Sequence, residues 1–121
     1  MATTPRPLVV VIEDDQATLK ALGRALRAGG FDTAPYRSAE AFLASPPDRQ
    51  PKCIVIDVQL GERSGLDLQR RLRELGSTIP VIVMTAFDDP RVRETARRIG
   101  CAAYLDKGTD IEELLAIVRA L

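Results

Sequence analysis

The sequence contains no histidine and no tryptophan, and only two of its 121 residues are cysteines. Without histidine, the chain cannot use Ser-His or Cys-His nucleophilic pairs, a histidine-ligated metal or a phosphohistidine. Cys53 and Cys101 lie far apart and lack metal-ligand spacing such as CxxC. We therefore expect two small buried thiols in a reducing compartment.

An excess of one charge is also lacking, because 17 Lys and Arg residues balance 17 Asp and Glu residues. This balance gives no general reason to expect direct contact with nucleic acid or with an anionic membrane. The apolar run 8–12 is far too short for a signal peptide or a membrane span, which makes a cytoplasmic protein the default. A length of 121 residues suits one domain, taken as 1–121.

Apolar runs alternate with helical patterns along the whole chain. The predicted strands are 8–12, 32–36, 53–57, 81–84 and 101–105. The five predicted helices begin after capping residues at Asp15, Ser38, Ser64, Asp89 and Thr109. The first helix is predicted from about Gln16 to Ala28, and the third is expected to face the core with Leu68, Leu72 and Leu75.

This (βα)₅ pattern predicts an α/β domain with a doubly wound parallel sheet. The runs 8–12, 53–56 and 81–84 are apolar throughout, as expected of central strands that helices cover on both faces. The second strand contains Pro35, and proline belongs at a sheet edge. The predicted strand order is therefore 2-1-3-4-5, the flavodoxin-like arrangement.

Polar residues follow the strands at the edge where such sheets bind ligands. In the predicted order, the switch point lies between strands 1 and 3. Strand 1 leads into the acidic run 13–15, strand 3 ends at Asp57, strand 4 leads into Thr85, and strand 5 leads into Lys107. We expect carboxylates, a hydroxyl and an ammonium group to converge there.

Carboxylates packed together repel one another, and a hard dication bound through oxygen relieves that repulsion. Mg²⁺ suits such a set because it accepts a few carboxylates and keeps several waters. A carboxylate beside Mg²⁺ can attack a phosphoryl group, while a lysine neutralises the transferring oxygens. Taken singly, the acids could be helix caps, the lysine a surface charge and the threonine a turn residue.

The combination resembles the receiver domain of two-component response regulators, over essentially the whole chain. The residues that carry the resemblance are Glu13-Asp14, Asp57, Gly65, Thr85, Tyr104 and Lys107. It implies a CheY-like fold and a phosphorylation-activated switch in which Asp57 accepts a phosphoryl group from a sensor histidine kinase. Such a domain is a phosphoacceptor that catalyses its own phosphorylation and dephosphorylation, and is not an enzyme acting on a separate substrate.

The resemblance also implies roles for residues around the acceptor. Asp14, Asp57 and the backbone carbonyl of Gln59 are expected to bind Mg²⁺ directly, and Glu13 through water. The catalytic residues beside Asp57 are expected to be Lys107 and Thr85. Thr85 and Tyr104 are expected to form the switch, which changes the face made by helix 4, strand 5 and helix 5. Gln59 and Phe87 occupy positions that tune dephosphorylation.

Partners are implied in the same way. The stretch 36–43 is similar to receivers of the FixJ/NarL type, which commonly carry a LuxR-type DNA-binding effector beyond the receiver. Basic helix 4 and acidic helix 5 allow a phosphorylation-dependent homodimer, although a solvated surface explains the same charges. The alternative function is a degenerate receiver that acts as a phosphorylation-independent interaction module. A flavodoxin-like cofactor binder and a dehalogenase-type phosphatase fit the acidic run less well.

Two positions depart from the family's pattern. Gly108 follows Lys107 where proline is usual, often with a cis bond, and a non-proline cis bond costs about 2.5–4 kcal/mol. The resting position of Lys107 therefore depends on a peptide that we expect to be trans or mobile. Leu60-Gly61 stands where Met-Pro is common, and glycine is expected to loosen that loop and alter the phosphoryl lifetime.

Overall fold

The computed structural model describes residues 5–61 and 63–121, and within them the chain forms seven strands. They are β1 (Leu8–Ile12), β2 (Asp32–Tyr36), β3 (Cys53–Asp57), β4 (Gln59–Leu60), β5 (Arg63–Ser64), β6 (Val81–Thr85) and β7 (Ala103–Asp106). Five of them form a parallel sheet in the order β2-β1-β3-β6-β7, while β4 and β5 pair separately as an antiparallel hairpin. The predicted order is confirmed, since β6 and β7 are the fourth and fifth strands of that sheet.

Five helices connect the strands within the same described residues. They are α1 (Gln16–Ala28), α2 (Ala39–Ala44), α3 (Gly65–Glu74), α4 (Pro90–Ile99) and α5 (Ile111–Ala120). Predicted capping residues at Asp15, Ser38, Ser64 and Asp89 each accept a hydrogen bond from a backbone N–H in the first turn. None of the described helices has the length and apolar character needed to cross a membrane.

Alternating strand residues feed two separate cores, one on each face of the sheet. In β1, Val9 and Val11 pack with α1 and α5, whereas Val10 and Ile12 pack with α2, α3 and α4. The same alternation holds in β3 and β6. Helices therefore cover both faces, which confirms the doubly wound α/β class and explains why the central strands are apolar throughout.

Several local predictions were wrong. Leu75 does not face the core: α3 ends at Glu74, and the Leu75 side chain is 59% exposed. The cap of α5 is Asp110, which accepts from the N–H of Glu112 at 3.2 Å. Thr109, the predicted cap, instead lies in a turn that its own amide closes on the carbonyl of Asp106.

The region between α4 and β7 also differs from expectation. Strand β7 begins at Ala103, two residues later than predicted, because Cys101 still donates its N–H to Ala96 at the end of α4. Cys53 is fully buried as expected, and burial raises the pKa of its thiol to about 11. Cys101 is only half-buried, so the expectation of two buried thiols held for one of them.

Candidate functional site

Strand register brings the predicted site residues to one edge of the sheet. Ile12 lies beside Ile56, so Glu13 and Asp14 leave β1 next to Asp57 at the end of β3. The same alignment sets Thr85 of β6 beside Asp106, the residue before Lys107. Neighbouring parallel strands thus end at one level, and the groups that follow them meet at the switch point of the strand order.

Three carboxylates form the centre of this edge. Glu13, Asp14 and Asp57 each offer an oxygen, and these oxygens all lie within 4.8 Å of one another. Glu13 and Asp57 are only 2% and 6% exposed, whereas Asp14 is open to solvent. Burial, together with the neighbouring Asp57, raises the pKa of Glu13 to about 7, although Lys107 acts in the opposite direction.

The donor set fits a hard divalent cation. All three side chains supply carboxylate oxygens, which are the ligands that Mg²⁺ prefers in proteins. Among the described residues, the buried Oε2 of Glu13 has no hydrogen-bond partner. A buried, unpartnered carboxylate oxygen beside two further carboxylates is a site that gains stability from a cation or from a water bound to it.

Lys107 joins the carboxylates from the other side. Its Nζ lies 2.8 Å from Oδ2 of Asp57 and 2.5 Å from Oε1 of Glu13. Burial disfavours the ammonium form, but the hydrogen bonds to Asp57 and Glu13 outweigh that effect and raise the pKa of Lys107. The lysine therefore remains charged and partly neutralises the two buried acids.

The turn that carries Lys107 is well supported without proline. Peptide bonds are trans throughout residues 5–61 and 63–121, including the bond to Gly108. The Lys107 amide donates to the carbonyl of Thr85 at 2.8 Å, and the Gly108 amide donates to Oδ1 of Asp106 at 2.6 Å. The expected trans peptide is confirmed, and it places Lys107 against Asp57.

The chain beside Asp57 is also closely constrained. Oδ1 of Asp57 accepts from the backbone N–H of Gln59 at 3.1 Å. At Gly65 a Cβ atom would lie 2.1 Å from the carbonyl oxygen of Asp57, so no larger residue fits there. This close approach explains why Gly65 is among the residues that resemble the receiver family.

Gly61 contributes a contact that the sequence reasoning missed. It lies at the turn between β4 and β5 with φ of +63°, and its N–H donates to Oδ2 of Asp14 at 2.9 Å. The loop was expected to be looser than one with proline. In the structure the N–H of Gly61, a donor that proline lacks, ties this position to the acidic pair, while the looseness of the loop stays a prediction.

Among the described residues, no side-chain hydrogen bond joins Thr85, Phe87 or Tyr104 to the three carboxylates or to Lys107. The Thr85 hydroxyl, 5% exposed, donates to the carbonyl of Phe87 at 2.8 Å and accepts from its N–H at 3.1 Å. Phe87 is 76% exposed. Tyr104 is half-buried on β7, with the guanidinium of Arg93 5.4 Å from its ring centroid.

Comparison with known proteins identifies the class to which this fold and site belong. The response regulator receiver domain family matches residues 9–119. The chain belongs to this family.

Two curated relatives are similar over most of the chain. The response regulator protein TodT of Pseudomonas putida is 34% identical over 113 residues, which make up 93% of this chain and 50% of TodT. The transcriptional regulatory protein FixJ of Azorhizobium caulinodans is 37% identical over 112 residues, 93% of this chain and 53% of FixJ. The chain thus spans about half the length of these relatives.

A solved structure agrees with the same assignment. A response regulator protein from Burkholderia pseudomallei, with a phosphorylated aspartic acid, calcium ion and citrate, superposes with a TM-score of 0.83 at 25% identity. The match covers 93% of this chain and 66% of that one.

Proposed function

We propose that this domain is a phosphorylation-activated signalling switch in which Asp57 accepts a phosphoryl group from a sensor histidine kinase in the presence of Mg²⁺. The observation that carries the proposal is the shared pocket of Asp57, the acidic pair Glu13-Asp14 and Lys107, whose Nζ is 2.8 Å from Asp57. Receiver domains are phosphoacceptors and not classical enzymes.

The proposed reaction is a direct transfer between protein side chains. A carboxylate oxygen of Asp57 attacks the phosphorus, the P–N bond of the kinase phosphohistidine breaks, and its electron pair returns to the imidazole nitrogen. The product is an acyl phosphate on Asp57. No proton needs to leave the carboxylate, so the chain's task is to place the nucleophile and to balance negative charge.

Charge balance falls to two groups. Lys107 already lies against Asp57, and its ammonium can follow the phosphoryl oxygens as they gain charge. Asp14, Asp57 and the backbone carbonyl of Gln59 would hold Mg²⁺, and Glu13 would act through a water. When bound, the ion would be a second positive group, beside Lys107, that neutralises the transferring oxygens.

The proposed output begins at Thr85. To bind a phosphoryl oxygen, its hydroxyl must give up the hydrogen bonds to Phe87 that it makes in the structure. Tyr104 would then change its packing and alter the face formed by α4, β7 and α5. Gln59 and Phe87 would tune the phosphoryl lifetime.

The partners follow from the same proposal. They are a sensor histidine kinase, met in the cytoplasm where we expect this domain, and an effector of the DNA-binding LuxR type outside this chain. The similarity to the transcriptional regulatory protein FixJ, of which the chain spans 53%, supports the effector. Phosphorylation-dependent pairing of two copies through α4 and α5 is part of the proposal.

Intact-mass measurement after incubation with acetyl phosphate and Mg²⁺ tests the acceptor. We expect the wild type to gain one phosphoryl group, Asp57→Asn to gain none, and chelation of Mg²⁺ to stop the gain. Asp15→Asn is the matched control. It removes the same charge from the residue directly after the acidic pair, and asparagine can still cap α1 as Asp15 does through Thr18.

The result also separates the two candidate functions. No labelling of the wild type would favour the phosphorylation-independent interaction module, whereas normal labelling of Asp57→Asn would move the acceptor to another residue. Reduction of the labelled protein with borohydride, followed by peptide mapping, would locate the acyl phosphate on the chain.

A further inference from the structure

Helix α4 is anchored to its neighbour at its C-terminal end. Two side chains of α3 donate hydrogen bonds to backbone carbonyls there: Gln69 Nε2 to Ala96 at 3.1 Å, and Arg73 Nη2 to Gly100 at 2.5 Å. Residues 69 and 73 are one helical turn apart and share a face of α3. The two donors therefore hold the last turn of α4 at two successive points.

The N-terminal end of α4 lacks this support. Asp89 caps the helix at the N–H of Arg91, and Arg93 pairs with Asp88 and lies over the ring of Tyr104. Among the described residues, no side-chain hydrogen bond or ion pair joins this end to another helix. Its partners lie in the loop after Thr85 and on β7, which the proposed switch would move.

The burial of Gln69 indicates that its role is one of position. The side chain is 0% exposed, and its Oε1 has no hydrogen-bond partner among the described residues. The Ala96 carbonyl already accepts from the amides of Gly100 and Cys101, so it does not need Gln69 to satisfy it. A buried amide that is not needed for this purpose and leaves its own oxygen unpartnered is best explained by the fixed place that it gives to α4.

We propose that Gln69 and Arg73 form a pivot: they fix the C-terminal end of α4, so that phosphorylation swings its N-terminal end about residues 96–100. The driving step rests on the proposed function. The loop that leaves Thr85 reaches the cap Asp89 within four residues, so a shift of Thr85 acts first on the N-terminal end of α4. The hydrogen bonds from α3 to the end of α4, however, are present before any phosphorylation.

Residue-resolved amide hydrogen exchange tests these hydrogen bonds in the unmodified protein. Gln69→Met removes the donor to Ala96, and Arg73→Met removes the donor to Gly100 together with a bond to the Ser77 carbonyl; both keep similar side-chain length. We expect the amides of Gly100 and Cys101 to exchange about three- to tenfold faster in each variant, as the loss of one net hydrogen bond implies. Arg70→Met is the control, because within residues 5–61 and 63–121 the side chain of Arg70 bonds only to Asp67, in α3 itself.

Amide exchange after activation with beryllofluoride and Mg²⁺ tests whether the N-terminal end of α4 moves while the C-terminal end stays fixed. In the wild type we expect faster exchange at Arg93, which lies near the start of α4, and unchanged exchange at Gly100 and Cys101. In the double variant Gln69→Met/Arg73→Met, all three amides should exchange faster on activation. Binding of beryllofluoride is verified separately by its bound fluorine signal.

Each outcome has a separate meaning. If Gly100 and Cys101 exchange at the wild-type rate in both single variants, Gln69 and Arg73 do not hold the C-terminal end of α4. If exchange accelerates equally at both ends of α4 in the activated wild type, the N-terminal end does not move about a fixed C-terminal end. If beryllofluoride does not bind, the proposed function fails, and the unmodified variants still decide whether α3 holds the end of α4.

Discussion

Two glycines replace prolines that are usual in the family, and both supply an N–H that proline lacks. Gly108 donates to Asp106 at 2.6 Å, and Gly61 donates to Asp14 at 2.9 Å. The first bond supports the turn that places Lys107 against Asp57. The second orients a carboxylate of the acidic pair. At both positions the departure from the family's pattern adds a polar contact next to the site.

Substitution of Gly61 tests the contact to Asp14. Gly61→Pro removes the N–H and cannot adopt the observed φ of +63°. Because partners that orient a ligand typically contribute 10–100-fold in metal affinity, we expect Mg²⁺ to bind about tenfold more weakly. Calorimetric titration with MgCl₂ measures the change.

Gly61→Asn is the matched variant for this experiment. Asparagine keeps the N–H and tolerates the left-handed conformation better than other residues with a Cβ. Its Mg²⁺ affinity should stay close to that of the wild type. Equal affinity of the proline variant and the wild type would show that the bond to Asp14 does not orient a metal ligand.

At the scale of single elements, strands and helices with strong patterns were predicted well. The bounds of β1, α1 and β2 match the sequence prediction to the residue. Helix α1 combines a clear apolar period with a capping residue at its start and glycines after its end, and β1 is an uninterrupted apolar run. The hairpin of β4 and β5 was missed because strands of two residues are too short to show any period.

Competing signals explain the remaining errors in the elements. Thr109 and Asp110 are adjacent capping residues, and the sequence alone does not decide which accepts the first-turn amide. Gln69 was missed although Leu66, Leu68 and Leu72 place position 69 on the inward side of α3. A glutamine at this position is predicted to be exposed, because the sequence does not show that the carbonyl of Ala96 faces it.

Substitution at the start of α5 distinguishes the two caps. Asp110→Ala removes the side chain that accepts from Glu112, and loss of such a cap typically costs about 1 kcal/mol of the free energy of unfolding. Thr109→Ala should change it by no more than about 0.5 kcal/mol. Chemical denaturation measures both free energies of unfolding. A larger loss for Thr109→Ala than for Asp110→Ala would show that Thr109 is the cap.

At the scale of the whole molecule, the buried carboxyl group of Glu13 sets a pH dependence. Without metal, folded Glu13 has a pKa of about 7, raised from the ordinary value of 4.5. Between these values the folded protein holds a proton that the unfolded chain has lost. This contribution to stability is therefore fully present below 4.5 and is lost as the pH rises through about 7.

Denaturation in EDTA at a series of pH values measures this contribution. We expect the free energy of unfolding of Glu13→Gln, relative to the wild type, to rise between pH 4.5 and 7, because the variant has no carboxyl group to titrate. Glu74→Gln, at the exposed end of α3, serves as the control. Parallel pH profiles for Glu13→Gln and the wild type would contradict the assignment.

The site as a whole was predictable because parallel strands end at a common edge. The residues after β1, β3 and β7 were expected to converge, and Glu13, Asp14, Asp57 and Lys107 lie together in the structure. The roles of Tyr104 and Phe87 stay predictions, since both lie outside this contact set. Contacts such as Gly61 to Asp14 depend on the shape of a short loop, which no periodic pattern encodes.

The most direct measurement is a crystal structure of the domain with beryllofluoride and Mn²⁺ in place of Mg²⁺, with the metal located by its anomalous signal. We expect one metal peak at bonding distance from the carboxylates of Asp14 and Asp57, the beryllium on Asp57, and Lys107 beside the fluorides. A metal peak elsewhere, or beryllofluoride bound to another residue, would contradict the shared pocket on which the proposed switch depends.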